Sequence, residues 1–274
     1  MNLVLKFLIY FAIGYGILVI VVYLAQRRMI YFPDRAEPTS DALHRAGLQF
    51  WPHEGEGYKG YTGVAAPKQN RGTVIVFHGN AGSAWHRYYY VHALVPLGYH
   101  VILAEYPGYG GRPGETSEPS FVRDARTIVL QAHSDKGGPV YLMGESMGCG
   151  VVAAVAADPP VPVAGLILIT PWDSLPDLAQ SLYWYLPARR LTRDRFDNVQ
   201  HLRGYNRPVA VAIAGRDRIV PNKHSLRLFT SLAAPKQLWR FENAGHNNWP
   251  NHPEAPWWRE AMTFVSGRQA LEHQ

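Results

Sequence analysis

The stretch that most constrains this chain is the pentapeptide Gly-Glu-Ser-Met-Gly at residues 144–148. A short apolar run at 140–143 precedes it and favours a buried strand, and a run of small residues at 149–154 follows it and favours a tightly packed helix. A G-x-S-x-G sequence in this context predicts a sharp turn that presents the serine hydroxyl at a sheet edge. Glycines are expected on both sides because side chains there would collide with the strand and the helix. Ser146 is therefore the candidate nucleophile.

The composition allows one large α/β domain. The chain has 274 residues, of which 47% are hydrophobic and 18% are charged, so a sizeable core can be buried. The net charge of +6 is compatible with an anionic membrane surface. We expect no nucleic-acid partner, because no basic cluster with interleaved aromatic residues and no nucleic-acid motif is present. Cys149 is the single cysteine, which excludes an intrachain disulfide and a cysteine-based zinc site.

Residues 7–25 form an uninterrupted stretch without a charge. At about 1.5 Å per residue, a helix of this length nearly spans the hydrocarbon core of a bilayer. A cleaved signal peptide is the alternative, but the sequence at 23–26, Tyr-Leu-Ala-Gln, is a poor cleavage site. Lys6 lies on one side of the stretch and Arg27, Arg28 and Arg35 lie on the other, which favours a cytoplasmic catalytic domain. The sequence therefore predicts a single-pass anchor over 1–28, a linker over 29–46 and a catalytic domain over 47–274.

Apolar runs alternate with helical patterns along the rest of the chain. The predicted strands are 48–51, 58–65, 73–77, 100–104, 140–143, 165–169, 209–214 and 236–241. This alternation predicts an α/β fold with a mostly parallel central sheet and helices on both faces, with functional loops at the carboxyl ends of the strands. Residues 173–206 have no strand signal and many aromatic and arginine residues. They fit either a short helical lid or an ordinary crossover helix with a solvated basic face.

A serine hydroxyl needs a base that takes its proton, and a histidine oriented by a buried carboxylate is the usual base. Asp217 and His246 follow the ends of two later strands, and the order Ser, Asp, His is the one that this turn architecture uses. Asp173 also follows a strand and is the alternative acid. Eleven other histidines compete with His246; among them, His78 opens the loop after the 73–77 strand and is expected to brace it.

Four segments resemble the α/β-hydrolase superfamily in their order and approximate spacing: HGNAG at 78–82, GESMG at 144–148, GRDxxVP at 215–221 and AGH at 244–246. The resemblance covers roughly residues 48–271. The N-terminal anchor, the 78–82 loop, EYPGYG at 105–110 and the Trp-Asp pair at 172–173 resemble, more narrowly, membrane-anchored abhydrolase-domain proteins. These relatives include lipid hydrolases and protein depalmitoylases.

The resemblance implies the catalytic roles: the nucleophile is Ser146, the general base is His246 and the orienting acid is Asp217. It also implies an oxyanion hole made by the backbone N–H groups of Met147 and Asn80, with Ala81 as the alternative to Asn80. Glu145 is expected to point away from the nucleophile, and Glu105 to support a loop. The reaction that follows is acyl transfer to water, which requires neither a metal nor an organic cofactor.

Three functions compete. An esterase, lipase or thioesterase would act on an acyl ester or thioester, lipid-like and presented at the membrane. A serine aminopeptidase shares the fold and the triad but needs an acidic pair to hold the substrate amine, for which Asp194 and Asp197 are the candidates. A non-catalytic membrane-tethered binding protein predicts a degenerate triad, whereas all three positions are filled here. The sequence does not choose between ester, thioester and amide, and gives neither the acyl length nor the oligomeric state.

Overall fold

The computed structural model describes residues 2–55 and 57–267. The helices are α1 (Leu3–Ile30), α2 (Ser40–Arg45), α3 (Tyr89–Leu94), α4 (Glu118–Lys136), α5 (Met147–Ala157), α6 (Leu175–Leu182), α7 (Ala188–Leu191), α8 (Asn198–His201), α9 (Asn222–Ser231) and α10 (Trp257–Ser266). The strands are β1 (Phe32–Pro33), β2 (Leu48–Trp51), β3 (Gly60–Gly63), β4 (Thr73–Phe77), β5 (Ala81–Gly82), β6 (His100–Ala104), β7 (Val140–Glu145), β8 (Val163–Ile169), β9 (Val209–Ala214) and β10 (Lys236–Phe241). Short 3-10 helices cover Ala84–Arg87 and Leu202–Gly204.

The central sheet has eight strands in the order β10-β9-β8-β7-β4-β6-β3-β2. Neighbours from β10 to β6 pair in parallel, and β3 pairs antiparallel with both β6 and β2. In the described part of the chain, β3 is therefore the strand of this sheet that is antiparallel to the other seven. The predicted mostly parallel α/β sheet is confirmed. The strand before the candidate nucleophile is longer than predicted, since β7 continues through Gly144 and Glu145 directly to Ser146.

The core lies on both faces of this sheet. In β4, whose five residues are all buried, Ile75 and Phe77 join the cluster beneath α4 and α5, and Val74 and Val76 join the cluster beneath α3 and α10. The alternation follows from the two-residue repeat of a strand, and burial of both faces explains why β4 is apolar from Val74 to Phe77. The predicted helices on both faces are confirmed.

Helix α1 contains the predicted 7–25 stretch and continues to Ile30. It is long and apolar enough to cross a membrane, and none of its most apolar part is buried against the protein. After α1, strand β1 pairs in parallel with β5, a short strand in the loop that follows β4. The region predicted as a linker, 29–46, therefore holds β1 and α2, and it joins the end of α1 to the loop at 78–82.

The 173–206 segment is helical, as its lack of strand signal predicted, and contains α6, α7 and α8. Its second half is fixed in the core: Phe196 is fully buried, and a Cβ added at Gly150 of α5 would lie 2.5 Å from its ring. Residues 182–185, at the end of α6 and in the turn that follows it, are instead exposed and include Tyr183, Trp184 and Tyr185. The segment thus contains a part that packs in the core and an exposed aromatic part at 182–185, which we call the 182–185 tip.

Candidate active site

The turn at residues 144–148 has the shape that its glycines predict. Ser146 adopts φ 53°, in the left-handed region that side chains rarely occupy. A Cβ at Gly144 would lie 2.6 Å from the backbone of Cys149, and one at Gly148 would lie 1.9 Å from the carbonyl oxygen of Phe77. Strand, turn and helix approach so closely that only glycine fits on either side. Such strain persists where the surrounding structure holds it, often at functional sites.

The three residues predicted as the triad lie together at the carboxyl edge of the sheet. Ser146 follows β7, Asp217 lies in the loop after β9, and His246 lies in the loop after β10. The Nε2 atom of His246 lies 2.9 Å from Oγ of Ser146, and its Nδ1 atom lies 2.7 Å from Oδ2 of Asp217. The side chains of His246 and Asp217 are 8% and 2% exposed, so water competes little for these hydrogen bonds.

The second carboxylate oxygen of Asp217 is held by its own loop. Its Oδ1 accepts hydrogen bonds from the backbone N–H groups of Ile219 at 2.9 Å and Val220 at 2.8 Å. With Oδ1 occupied, Oδ2 is directed at His246. A carboxylate only accepts hydrogen bonds, so Nδ1 of His246 carries a proton, and the lone pair on Nε2 faces the hydroxyl of Ser146.

A second Ser–His–Asp arrangement, which the sequence did not indicate, lies beside the 173–206 segment. The Nδ1 atom of His224 lies 2.8 Å from Oδ1 of Asp173, and its Nε2 atom lies 2.8 Å from Oγ of Ser181. Ser181, however, lies inside the regular helix α6, and its hydroxyl donates to the carbonyl oxygen of Leu178 at 2.9 Å. It has neither the strained turn nor a following helix N-terminus. We interpret this arrangement as a structural link between α6 and α9.

Asp173, the alternative acid, is therefore engaged elsewhere. Besides His224, its carboxylate accepts from the N–H of Ser174 at 2.8 Å and from Arg227 at 2.6 Å. Burial acts to raise the pKa of Asp173, but the hydrogen bonds from His224 and Ser174 and the charge of Arg227 hold this pKa below its ordinary value. The carboxylate is thus charged at neutral pH. It orients His224, whereas Asp217 orients His246.

The loop predicted to form the oxyanion hole lies against the nucleophile, since a Cβ at Gly79 would lie 3.7 Å from Cβ of Ser146. The side-chain amide of Asn80 donates to the carbonyl oxygen of Ile30 at 2.6 Å, so this amide is not free to reach a substrate. On the other side of the nucleophile, Met147 begins α5. Its N–H belongs to the first turn, where backbone donors have no acceptor within the helix.

The two nearby glutamates have structural partners. Glu105 is fully buried, lies 3.1 Å from Nε2 of His78 and accepts from the N–H of Ala84 at 3.0 Å. This links the strand ends of β4 and β6 and supports the 78–82 loop. Glu145 accepts from the hydroxyls of Tyr89 at 3.1 Å and Tyr90 at 3.0 Å. Both carboxylates are thus bound by groups outside the Ser146–His246 pair.

The acidic pair considered for an aminopeptidase is also engaged. Asp194 is 2% exposed and accepts from the guanidinium of Arg27 at 3.0 and 3.2 Å and from the hydroxyl of Tyr31 at 2.9 Å. Burial and the adjacent carboxylate raise the pKa of Tyr31, which keeps its proton for this bond. Asp197 caps α8 by accepting from the N–H of Gln200 at 3.1 Å. Asp194 therefore fastens α1 to the domain.

Comparison with known proteins identifies relatives of this chain. A family described as the alpha/beta hydrolase fold matches residues 72–204. An uncharacterized protein of Mycobacterium tuberculosis is 34% identical over 230 residues, which cover 81% of each chain. The lysophosphatidylserine lipase ABHD12 of Macaca fascicularis is 26% identical over 230 residues, which cover 77% of this chain but 57% of the lipase. The structure of a monoacylglycerol lipase from Paleococcus ferrophilus superposes with a TM-score of 0.57 at 22% identity, covering 74% of this chain and 97% of that one.

These matches show that the chain belongs to the α/β-hydrolase superfamily, as its four motifs predicted. The resemblance to abhydrolase-domain proteins is confirmed by the match to ABHD12. The similarity to the archaeal lipase is a similarity of fold.

Proposed function

We propose that this α/β-hydrolase is a serine hydrolase, anchored in a membrane by α1, that cleaves carboxylic ester or thioester bonds of acyl or lipid substrates. The observation that carries the proposal is the hydrogen-bonded series from Ser146 to His246 to Asp217 at one sheet edge. A nucleophile within hydrogen-bond reach of a base, itself oriented by a third group, is the arrangement that activates a hydroxyl.

In the proposed mechanism, Oγ of Ser146 attacks the substrate carbonyl carbon as Nε2 of His246 takes the hydroxyl proton. The negative charge that develops on the carbonyl oxygen is stabilised by the backbone N–H groups of Met147 and Asn80. When the tetrahedral intermediate collapses, the bond to the leaving alcohol or thiol breaks and His246 returns the proton to the leaving group. A water molecule then attacks the acyl-enzyme with His246 again as base, which releases the acid and regenerates Ser146.

Three observations support an acyl substrate over a peptide. Asp194 and Asp197, the acidic residues that a serine aminopeptidase would use, are bound to Arg27 and to the N-terminus of α8. ABHD12, which matches most of this chain, is a lysophosphatidylserine lipase. A candidate membrane span next to the catalytic domain also suits a substrate that resides in a bilayer. We therefore favour a lipid-like ester.

The test is to change each serine of the two Ser–His–Asp arrangements. We expect Ser146→Ala to abolish hydrolysis of p-nitrophenyl acyl esters and labelling by a fluorophosphonate, without loss of the fold. Ser181→Ala is the matched control and should retain both, because its hydroxyl lies within a helix and has no oxyanion donors beside it. Unchanged turnover in Ser146→Ala, or loss in Ser181→Ala alone, would refute the mechanism.

A further inference from the structure

A cavity lies between α1 and the 173–206 segment, outside the triad. Together with space that is open to solvent, it comprises about 730 Å³ that no protein atom occupies. One wall is formed by α1, through Val22, Met29 and Ile30. The opposite wall is formed by α6, α7 and the segment between them, through residues that include Leu178 and Leu186. The helix that could span a membrane thus also lines a cavity of the hydrolase domain.

The lining offers an apolar surface even where its residues are polar. The amide of Gln26 donates to the carbonyl oxygen of Leu191 at 3.1 Å and accepts from the N–H of Arg193 at 2.8 Å. The hydroxyl of Thr192 donates to the carbonyl oxygen of Ala188 at 2.7 Å. Because these groups already have partners, a polar ligand would gain little here, whereas a hydrocarbon chain would bury its surface favourably.

The cavity adjoins the candidate active site. Ile30, in its wall, accepts the hydrogen bond from the side chain of Asn80, whose backbone N–H is the proposed oxyanion donor. The wall of the cavity is therefore connected to the loop of the candidate active site through the contact between Ile30 and Asn80.

The cavity also lies close to the part of α1 that a bilayer would surround. The hydroxyl of Tyr15, in the middle of the apolar part of α1, donates to the carbonyl oxygen of Tyr185 at 2.9 Å. Tyr15 precedes Arg27 by twelve residues, or about 18 Å along a helix. The 182–185 tip, where Trp184 is 80% exposed, therefore lies alongside the part of α1 that a bilayer would surround.

We propose that this cavity binds one long acyl chain of a membrane lipid and that the chain enters laterally from the leaflet around α1. The inference rests on the proposed ester or thioester hydrolase and specifies its substrate as a long-chain lipid. In this arrangement α1 is a wall of the substrate site as well as an anchor, and its last turn holds the oxyanion loop in place.

The test uses two adjacent valines of α1 in the full chain. Val22 lines the cavity, and Val21 is 54% exposed on the outer surface of the same helix. We expect Val22→Trp to lower kcat/KM for a C16 ester at least about tenfold, because the larger side chain would exclude two or more methylene groups from the cavity. The kcat/KM for a C4 ester should stay within twofold of the wild-type value. Val21→Trp should leave both values within twofold. Retained C4 turnover also reports that each variant is folded. Ala179→Phe, from the opposite wall, should reproduce the Val22→Trp result and serves if that variant does not fold.

An unchanged C16 to C4 ratio in both cavity variants would overturn the inference while leaving the serine mechanism intact. If the wild-type protein cleaves no ester, the proposed function fails. The cavity is then tested by photolabelling the full chain in vesicles with a palmitic acid that carries a diazirine. Photolabelling of residues 175–192 that is lost in Val22→Trp and kept in Val21→Trp would support the acyl site. Labelling that Val22→Trp does not reduce would refute it.

Discussion

Asp217→Asn gives the sharpest test of how the candidate triad is oriented. In the wild-type protein, Oδ1 of Asp217 accepts from two backbone N–H groups, those of Ile219 and Val220, and Oδ2 faces Nδ1 of His246. An asparagine must keep its single oxygen on the two N–H groups, because its NH₂ group cannot accept a hydrogen bond. The NH₂ group then faces His246, where only an unprotonated Nδ1 can accept from it.

The substitution therefore moves the proton of His246 from Nδ1 to Nε2 and removes the lone pair that takes the proton of Ser146. We expect kcat for a p-nitrophenyl ester to fall about 10⁴-fold, the loss typical of this change in a Ser–His–Asp triad. At 1.36 kcal/mol for each factor of ten, the loss corresponds to about 5.4 kcal/mol of transition-state stabilisation. The melting temperature should change little, because both backbone hydrogen bonds are kept.

The matched control is Asp173→Asn, which alters the acid of the second Ser–His–Asp arrangement. It loses the charge that pairs with Arg227, so we expect reduced stability but a kcat within about threefold of wild type for the folded enzyme. Steady-state kinetics and a thermal melt on both variants separate the two effects. The assignment would be refuted if Asp217→Asn retained more than about a tenth of wild-type kcat. It would also be refuted if the kcat of the folded Asp173→Asn enzyme fell below about a tenth of the wild-type value.

Three further outcomes are expected. Asp194→Ala removes the buried partner of Arg27, which then keeps only the exposed Glu115, and leaves the hydroxyl of Tyr31 without its acceptor; we expect a cost of about 3–5 kcal/mol and a melting temperature lower by roughly 6–20 °C. Loss of Glu115 should lower the melting temperature by less than about 4 °C; equal shifts would contradict the fastening role of Asp194. Burial raises the pKa of the Cys149 thiol, so iodoacetamide at pH 8 should modify it in urea but not in the native protein, as mass spectrometry would reveal. Asn80→Ala keeps its backbone N–H and should lower kcat less than about tenfold, whereas a fall of 10²–10³-fold would identify the side chain as the oxyanion donor.

Much of the fold follows from local patterns. The bounds of β4, β6, β9 and β10 agree with the apolar runs at 73–77, 100–104, 209–214 and 236–241. The start of α4 follows from Ser117, which accepts from the N–H of Ser120, and from the proline in its first turn. These signals are readable because strand alternation, helix capping and turn chemistry act between residues that are close in sequence.

The candidate catalytic residues were also accessible from the sequence. The carboxyl ends of parallel strands meet at one edge of a sheet, so the order Ser146, Asp217, His246 predicted that the three would lie together. The sequence left Asp173 open as the acid, because both aspartates follow strands. In the structure the two aspartates contact different histidines: the two N–H groups of the loop after β9 direct Asp217 to His246, while α9 brings His224 and Arg227 to Asp173.

The tertiary structure alone decided how α1 relates to the hydrolase domain. From the sequence, residues 7–25 predict an apolar anchor, and nothing local distinguishes Val22 from Val21. The fold places residues 175–192 against one side of α1, which makes Val22 part of a cavity wall and leaves Val21 facing outward. The second Ser–His–Asp arrangement likewise joins α6, β8 and α9 through contacts between distant segments. The sequence by itself determined most of the sheet and the candidate catalytic edge, because short-range periodicity and strand order suffice for these. The cavity, in contrast, depends on the packing of segments that are far apart in the chain.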